Sequence, residues 1–106
     1  MEGCIFCKIA KGEVPSEKEM ETDGLIVFKD VKPRTEVHLL IVPKTHYEDM
    51  IEAPEEIWVE IAKVAKQLAK EKALEGFRLV NNSGGSAAVK HMHVHFLGNV
   101  GMEREI

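Results

Sequence analysis

His91-Met92-His93-Val94-His95-Phe96-Leu97 alternates strictly between imidazole and apolar side chains, and its reading decides the fold. Successive side chains of a β-strand point to opposite faces. The pattern therefore predicts a strand with His91, His93 and His95 on one face and Met92, Val94 and Phe96 on the other. Same-face neighbours on such a strand lie about 6.6–6.8 Å apart. The apolar face belongs against a core, which turns the imidazoles toward a cleft or solvent. A half-exposed strand whose polar positions happen to be histidine is the plain alternative. Three in alternation, out of five histidines in the chain, favour a site. Imidazole serves either as a neutral metal ligand or as a nucleophile and acid–base group near pH 7.

Working outward, this last strand is expected from Val89 to Leu97, fed by the loop Asn81-Asn82-Ser83-Gly84-Gly85-Ser86. Gly84 to Ser86 could offer backbone N–H groups to an anion, although a flexible connection is the simpler account. Phe77 to Val80 reads as the preceding strand. Before it, Ile57, Ile61, Val64 and Leu68 trace one face of a long helix. Pro54 suits its first position, Glu55 and Glu56 favour the positive helix end, and Lys70 and Lys72 favour the negative end. Gly76 is expected to stop it. Leu25 to Phe28 follows the turn dipeptide Asp23-Gly24 and pairs naturally with a short strand at Glu19 to Glu21. His38 to Val42 is a buried-type strand closed by Pro43. Near the start, Ile5, Phe6 and Ile9 share helical spacing, with Gly12 and Pro15 as stops. Strands joined by short turns, with one long helix to cover a face, predict an α+β antiparallel sheet.

The length of 106 residues fits a single domain over 1–106. The net charge of −4 argues against a nucleic-acid clamp or a basic membrane-surface protein, which need a Lys/Arg surplus. No apolar run reaches the ~18–20 residues of a membrane span. The first residues carry no basic segment followed by an apolar one, so a cytoplasmic protein is expected. Two cysteines do not make a secreted disulfide framework. Cys4 and Cys7 instead form a C-x₂-C pair, with both sulfurs on one side of a helical turn. With two imidazoles they would complete a closed tetrahedral zinc site; two small buried cysteines are the alternative.

His91 to Leu97 resembles the signature of the histidine triad family of nucleotide hydrolases and transferases. Cys4-Ile5-Phe6-Cys7-Lys8-Ile9 is similar to the family's N-terminal segment. Phe28-Lys29-Asp30-Val31 and His38-Leu39-Leu40-Ile41-Val42-Pro43-Lys44-Thr45-His46 are similar to its central hairpin, and the loop containing Asn81 to the stretch before the triad. The resemblance implies a five-stranded antiparallel sheet with a short N-terminal helix and one long helix, continued across a homodimer. It implies that His93 attacks the α-phosphate of a nucleoside phosphoramidate, ester or anhydride, with a covalent nucleotidyl-histidine intermediate that water hydrolyses. His95 and His38 then hold the phosphoryl oxygens, and Asp30 the ribose hydroxyls. Phe6, Ile9, Phe28 and Leu40 line the base pocket, with Asn81 among the nucleotide-binding residues. A purine nucleotide such as AMP or GMP is the implied ligand. Similarity to zinc-binding members implies a structural zinc on Cys4, Cys7, His46 and His91.

The sequence departs from the family pattern at Ala87 and Ala88, where a polar pair that assists the leaving group is common. Lys90 stands where an aromatic is frequent, and only Asn99 to Ile106 follow Gly98. These departures favour nucleotide binding over efficient release of amine leaving groups. They keep a nucleotide-sensing module with little catalysis as the alternative to a hydrolase. A catalytic metal held by the histidines is a third reading, which needs three protein ligands and an open water position.

Overall fold

A computed structural model describes residues 3–104. In chain order they form α1 (Ile5–Ala10), β1 (Lys18–Glu21), β2 (Leu25–Lys29), β3 (Val37–Pro43), α2 (Glu56–Glu71), β4 (Phe77–Val80), a 3₁₀ turn (Gly84–Ser86) and β5 (Val94–Gly98). All strand pairs are antiparallel, in one five-stranded sheet of order β1-β2-β3-β5-β4. This is the α+β architecture expected from the pattern of elements. Among the described residues no helix is long and apolar enough to cross a membrane.

The period-two alternation of the strands sorts the core into two layers. Leu25, Val27, Leu39, Ile41, Val94 and Phe96 meet Ile57, Ile61, Val64, Ala65 and Leu68 of α2. On the other face Ile26, Phe28, Leu40 and Val42 meet Phe6 and Ile9 of α1. The 16-residue α2 spans its face, whereas the six residues of α1 cover only part of theirs. What α1 leaves open is the cleft. His38 pairs in register with Leu97, and Leu40 with His95, while Arg78 and Val80 of β4 continue the same rows.

Three boundaries differ from the sequence reading, each for a physical reason. The last strand starts at Val94, not Val89. Its partner β3 ends at Pro43, which has no N–H to donate, and the Pro43 carbonyl is taken by the His91 side chain. Met92 N–H accordingly turns to the Tyr47 carbonyl at 2.7 Å. Helix α2 begins after Glu55, past Pro54, and ends well before Gly76. Ala73 takes the left-handed position at φ +50°. The Ala73 and Leu74 N–H groups close back on the Lys70 and Ala69 carbonyls at 3.1 Å each, the double bond of a Schellman cap.

Candidate functional site

The alternation of sides persists although only His95 of the three triad histidines lies within β5. Met92 packs with Val94 and Phe96 under α2. The His91 and His93 rings point the other way, edge-on to Phe6 at centroid distances of 5.8 and 5.1 Å. Of the two expected surroundings, cleft or solvent, His93 and His95 meet the cleft, while α1 lies over His91 and His93 and leaves them 0% and 5% exposed.

At one end of this row Cys4, Cys7, His46 and His91 converge. Cys4 caps the N-terminus of α1, its Sγ accepting the Cys7 N–H at 3.4 Å. His91 Nδ1 lies 3.3 Å from Cys4 Sγ, 3.5 Å from Cys7 Sγ and 3.1 Å from His46 Nδ1, and Cys7 Sγ lies 3.3 Å from His46 Nδ1. A tetrahedral zinc with bonds of about 2.05 Å to nitrogen and 2.3 Å to sulfur spaces its ligand atoms about 3.3–3.8 Å apart, so the four atoms fit such an ion closely. His91 Nε2–H donates to the buried Pro43 carbonyl at 2.7 Å. That bond fixes the tautomer with Nδ1 as the lone-pair atom, the outer partner a metal-binding histidine requires. Burial lowers the His91 pKa, holding the ring neutral, and pushes the Cys7 thiol up. The Cys7 thiol therefore needs a cation beside it before it ionises.

Beyond it His38, His93 and His95 line a cleft of about 1140 Å³ together with Phe6, Asp30, Leu40 and Asn81. Ile9 and Phe28 pack in the cluster beneath Phe6 and Leu40 and do not line the cleft. His93 Nδ1–H donates to the His91 main-chain carbonyl at 2.8 Å, leaving the Nε2 lone pair uncommitted. Asn81 Nδ2 donates to the His93 carbonyl at 2.9 Å, and Asn81 Oδ1 accepts from Ser83 Oγ at 2.9 Å. Asn81 thus grips the main chain that carries His93.

The Arg34 N–H donates to His38 Nδ1 at 3.0 Å, so in the neutral His38 ring the proton sits on Nε2. That N–H reaches His95 Nδ1 at 2.9 Å, with Asp30 Oδ2 at 3.4 Å. His95 is left with Nε2–H as its donor to a ligand. Burial is the main cause lowering both the His38 and His95 pKa values, and Asp30 only partly opposes it. A metal on Asp30, His38 and His95 would require the His38 Nε2 proton to be lost from a ring already accepting at Nδ1, so a hydrogen-bonded relay accounts for this trio better than a catalytic ion does.

Sequence reading missed the supports of the cleft loop. Lys90 Nζ donates to the Gly84 and Ala87 carbonyls and ties down the 3₁₀ turn, and the Met50 N–H donates to Ser83 Oγ at 3.1 Å. A lysine beside a glycine-rich loop is no signal by itself, and Met50 lies 33 residues away from Ser83.

Fold and site define an α+β domain whose partly uncovered sheet face carries a row of imidazoles, each with its proton placed by a neighbour. The chain belongs to the HIT domain family, which residues 11–102 match. It is 41% identical over 93 residues to the Saccharomyces cerevisiae adenosine 5'-monophosphoramidase HNT1, covering 88% of this chain and 59% of the yeast protein. A histidine triad protein from Clostridium difficile superposes with a TM-score of 0.91 at 41% identity, over 100% of this chain and 98% of that one. A Zn-bound histidine triad family protein from Mycobacterium smegmatis gives 0.85 at 28% identity, over 96% and 78%.

Proposed function

We propose that this chain, one histidine triad domain over 1–106, is a nucleotide hydrolase or transferase acting at the α-phosphate of nucleoside phosphoramidates or related esters and anhydrides. The observation that carries it is the His93 ring, anchored through Nδ1 to the His91 carbonyl so that Nε2 keeps its lone pair beside the cleft. Nε2 attacks phosphorus, the bond to the leaving group breaks, and water hydrolyses the nucleotidyl-His93 intermediate. His95, through Nε2–H, and His38 behind it meet the charge on the phosphoryl oxygens. Asp30 accepts from the ribose hydroxyls, Phe6 and Leu40 wall the base over Ile9 and Phe28, and Asn81 holds the loop. A purine nucleotide such as AMP or GMP is the ligand, in keeping with the yeast relative being an adenosine 5'-monophosphoramidase.

Cys4, Cys7, His46 and His91 hold a structural zinc, whose chemistry is to cross-link α1 to the sheet; the Zn-bound relative and the ligand spacing support this. The edge strand β4 exposes Phe77 and Leu79, which suits a homodimer with a continuous sheet in the cytoplasm.

Incubation with an adenosine phosphoramidate, acid quench and mass spectrometry should find the nucleotidyl group on His93. Absence of an adduct together with undiminished turnover by His93→Ala would remove the proposal. A nucleotide-sensing module is the second reading, favoured by the apolar side chains at Ala87 and Ala88 near the cleft. Saturable AMP binding with no turnover of any substrate class would select it.

A further inference from the structure

Cys4 and Cys7 are the only cysteines of the chain, and they differ in access. Cys7 and His91 are buried, whereas Cys4 and His46 are half-buried. Cys4 and His46 line a pocket of about 400 Å³ together with Glu48 and Lys90. Ala88 and Val89 line both this pocket and the triad cleft, and so separate the two. A structural zinc site is ordinarily closed on all sides. Half of this ligand set faces a second pocket, which the chemistry of the triad does not use.

Both cysteines also belong to a single turn. Cys4 caps α1 and Cys7 lies three residues on. Cα atoms at that spacing on a helix are about 5 Å apart, inside the ~4.4–6.8 Å range of a disulfide. The two sulfurs lie within 4.8 Å of one another, and both approach His91 Nδ1. Rotation of the side chains brings them to bonding distance with little movement of the main chain. A disulfide there closes a very short loop and contributes little to stability. A metal on the four residues does more, because His46 follows β3 and His91 precedes β5, whereas both sulfurs ride on α1. Oxidation would trade a bond between α1 and the sheet for a bond inside α1.

On the reading of these four residues as a zinc site, we propose that Cys4 and Cys7 are an oxidative modification site for peroxide, at which a disulfide displaces the metal and frees α1 from the sheet. Cys4 Sγ, on the pocket side, attacks one oxygen of hydrogen peroxide. The O–O bond breaks, Cys4 becomes a sulfenic acid and the other oxygen leaves as water. Cys7 Sγ then attacks Cys4 Sγ, the S–O bond breaks and a second water leaves. The sulfurs give up two electrons, which reduce one peroxide to two waters. The two protons come from the thiols, or from solvent where the metal holds thiolates. The disulfide has no thiolate left to offer a metal. A dithiol reductant returns the two electrons and restores the pair. Phe6 stands between the two cysteines, lines the triad cleft and lies edge-on to His93 at 5.1 Å, so the segment set free is a wall of that cleft.

The test exposes the zinc-loaded full chain, its metal content measured beforehand, to hydrogen peroxide beside a chromogenic zinc chelator, with a peroxide-free control. Both cysteines fall in tryptic peptide 1–8, which is expected to lose two hydrogens. Zinc should appear at one per disulfide, at a rate within about twofold of disulfide formation. Dimedone, which traps sulfenic acids, should tag Cys4 about 10-fold or more over Cys7, the less accessible sulfur. Amide exchange in α1 should rise about 10-fold or more on oxidation with α2 unchanged, and dithiothreitol with added zinc should reverse it. Four results overturn the inference and leave the metal reading in place: a disulfide with zinc retained, dimedone on Cys7 in preference, α1 exchange unchanged after zinc release, or thiols that survive peroxide sufficient to oxidise glutathione. A chain carrying no zinc before exposure overturns both.

Discussion

His91 and His93 are two residues apart on the same side of one strand end, and both rings donate one N–H to a main-chain carbonyl. The difference is which nitrogen donates. His91 gives Nε2–H to Pro43 and presents Nδ1 to two sulfurs and His46, whereas His93 gives Nδ1–H to the His91 carbonyl and presents Nε2 to the cleft. In the proposed function, a repeated residue type is divided between ligand and nucleophile by the proton each ring is made to carry. The tautomers are complementary, and each suits its surroundings: a closed thiol pocket in one case, a large cleft in the other.

The comparison can be broken most forcefully at His93. His93→Ala should reduce turnover by about 10⁴-fold or more, as for removal of a covalent nucleophile, while leaving zinc content at one per chain. Zinc loss in that variant would show that the two roles are not separate. Cys7→Ser should act in the opposite sense: metal analysis should fall far below one equivalent, and Tm should drop by about 10 °C or more, from the loss of several kcal/mol of metal-coupled folding. Chelation that stops turnover in a protein still folded by circular dichroism would instead assign the ion a catalytic part. Asn81→Ala, which frees the His93 main chain, should lower kcat by about 10–100-fold with a smaller change in KM. An effect confined to KM would make Asn81 a ligand contact alone.

The smallest effect is on stability against pH. The folded pKa values of His38 and His95 are lowered, chiefly by burial, so the unfolded chain takes up protons that the folded chain refuses. Their contribution is full above about pH 6.5, the unfolded histidine value, and is lost as pH falls below it. Denaturant midpoints measured down to pH 5 should fall less steeply in His95→Gln than in wild type. An unchanged slope would separate the His38–His95 pair from the acid sensitivity of the fold.

Much of this was legible in residue order. The alternation from His91 to Phe96 placed each side chain on its correct side even where no strand forms, because extended backbone alternates whether or not it is paired. The α2 face from Ile57 to Leu68 and the paired strands around Asp23-Gly24 followed from spacing and turn chemistry. The start of β5 was hidden because it depends on Pro43 in another strand and on a side chain that occupies its carbonyl. Convergence of Cys4 and Cys7 with His46 and His91 joins residues 39 to 87 apart, and spacing alone left the partners open. The tautomers could not be read at all, since carbonyls set them and every residue has one.

Helix α1 has a consequence for how the molecule opens. Six residues cannot sustain a helix in water unaided, where about 12–15 are needed even for favourable sequences. Its order is borrowed from the Cys4 and Cys7 anchors and from the Phe6 ring wedged against His91 and His93. The wall of the cleft is therefore the part of the protein most easily lost by local unfolding, with an opening free energy set by the thiol end. Amide exchange in α1 should report how firmly that wall is shut, residue by residue, while α2 and the central strands exchange only with the whole molecule.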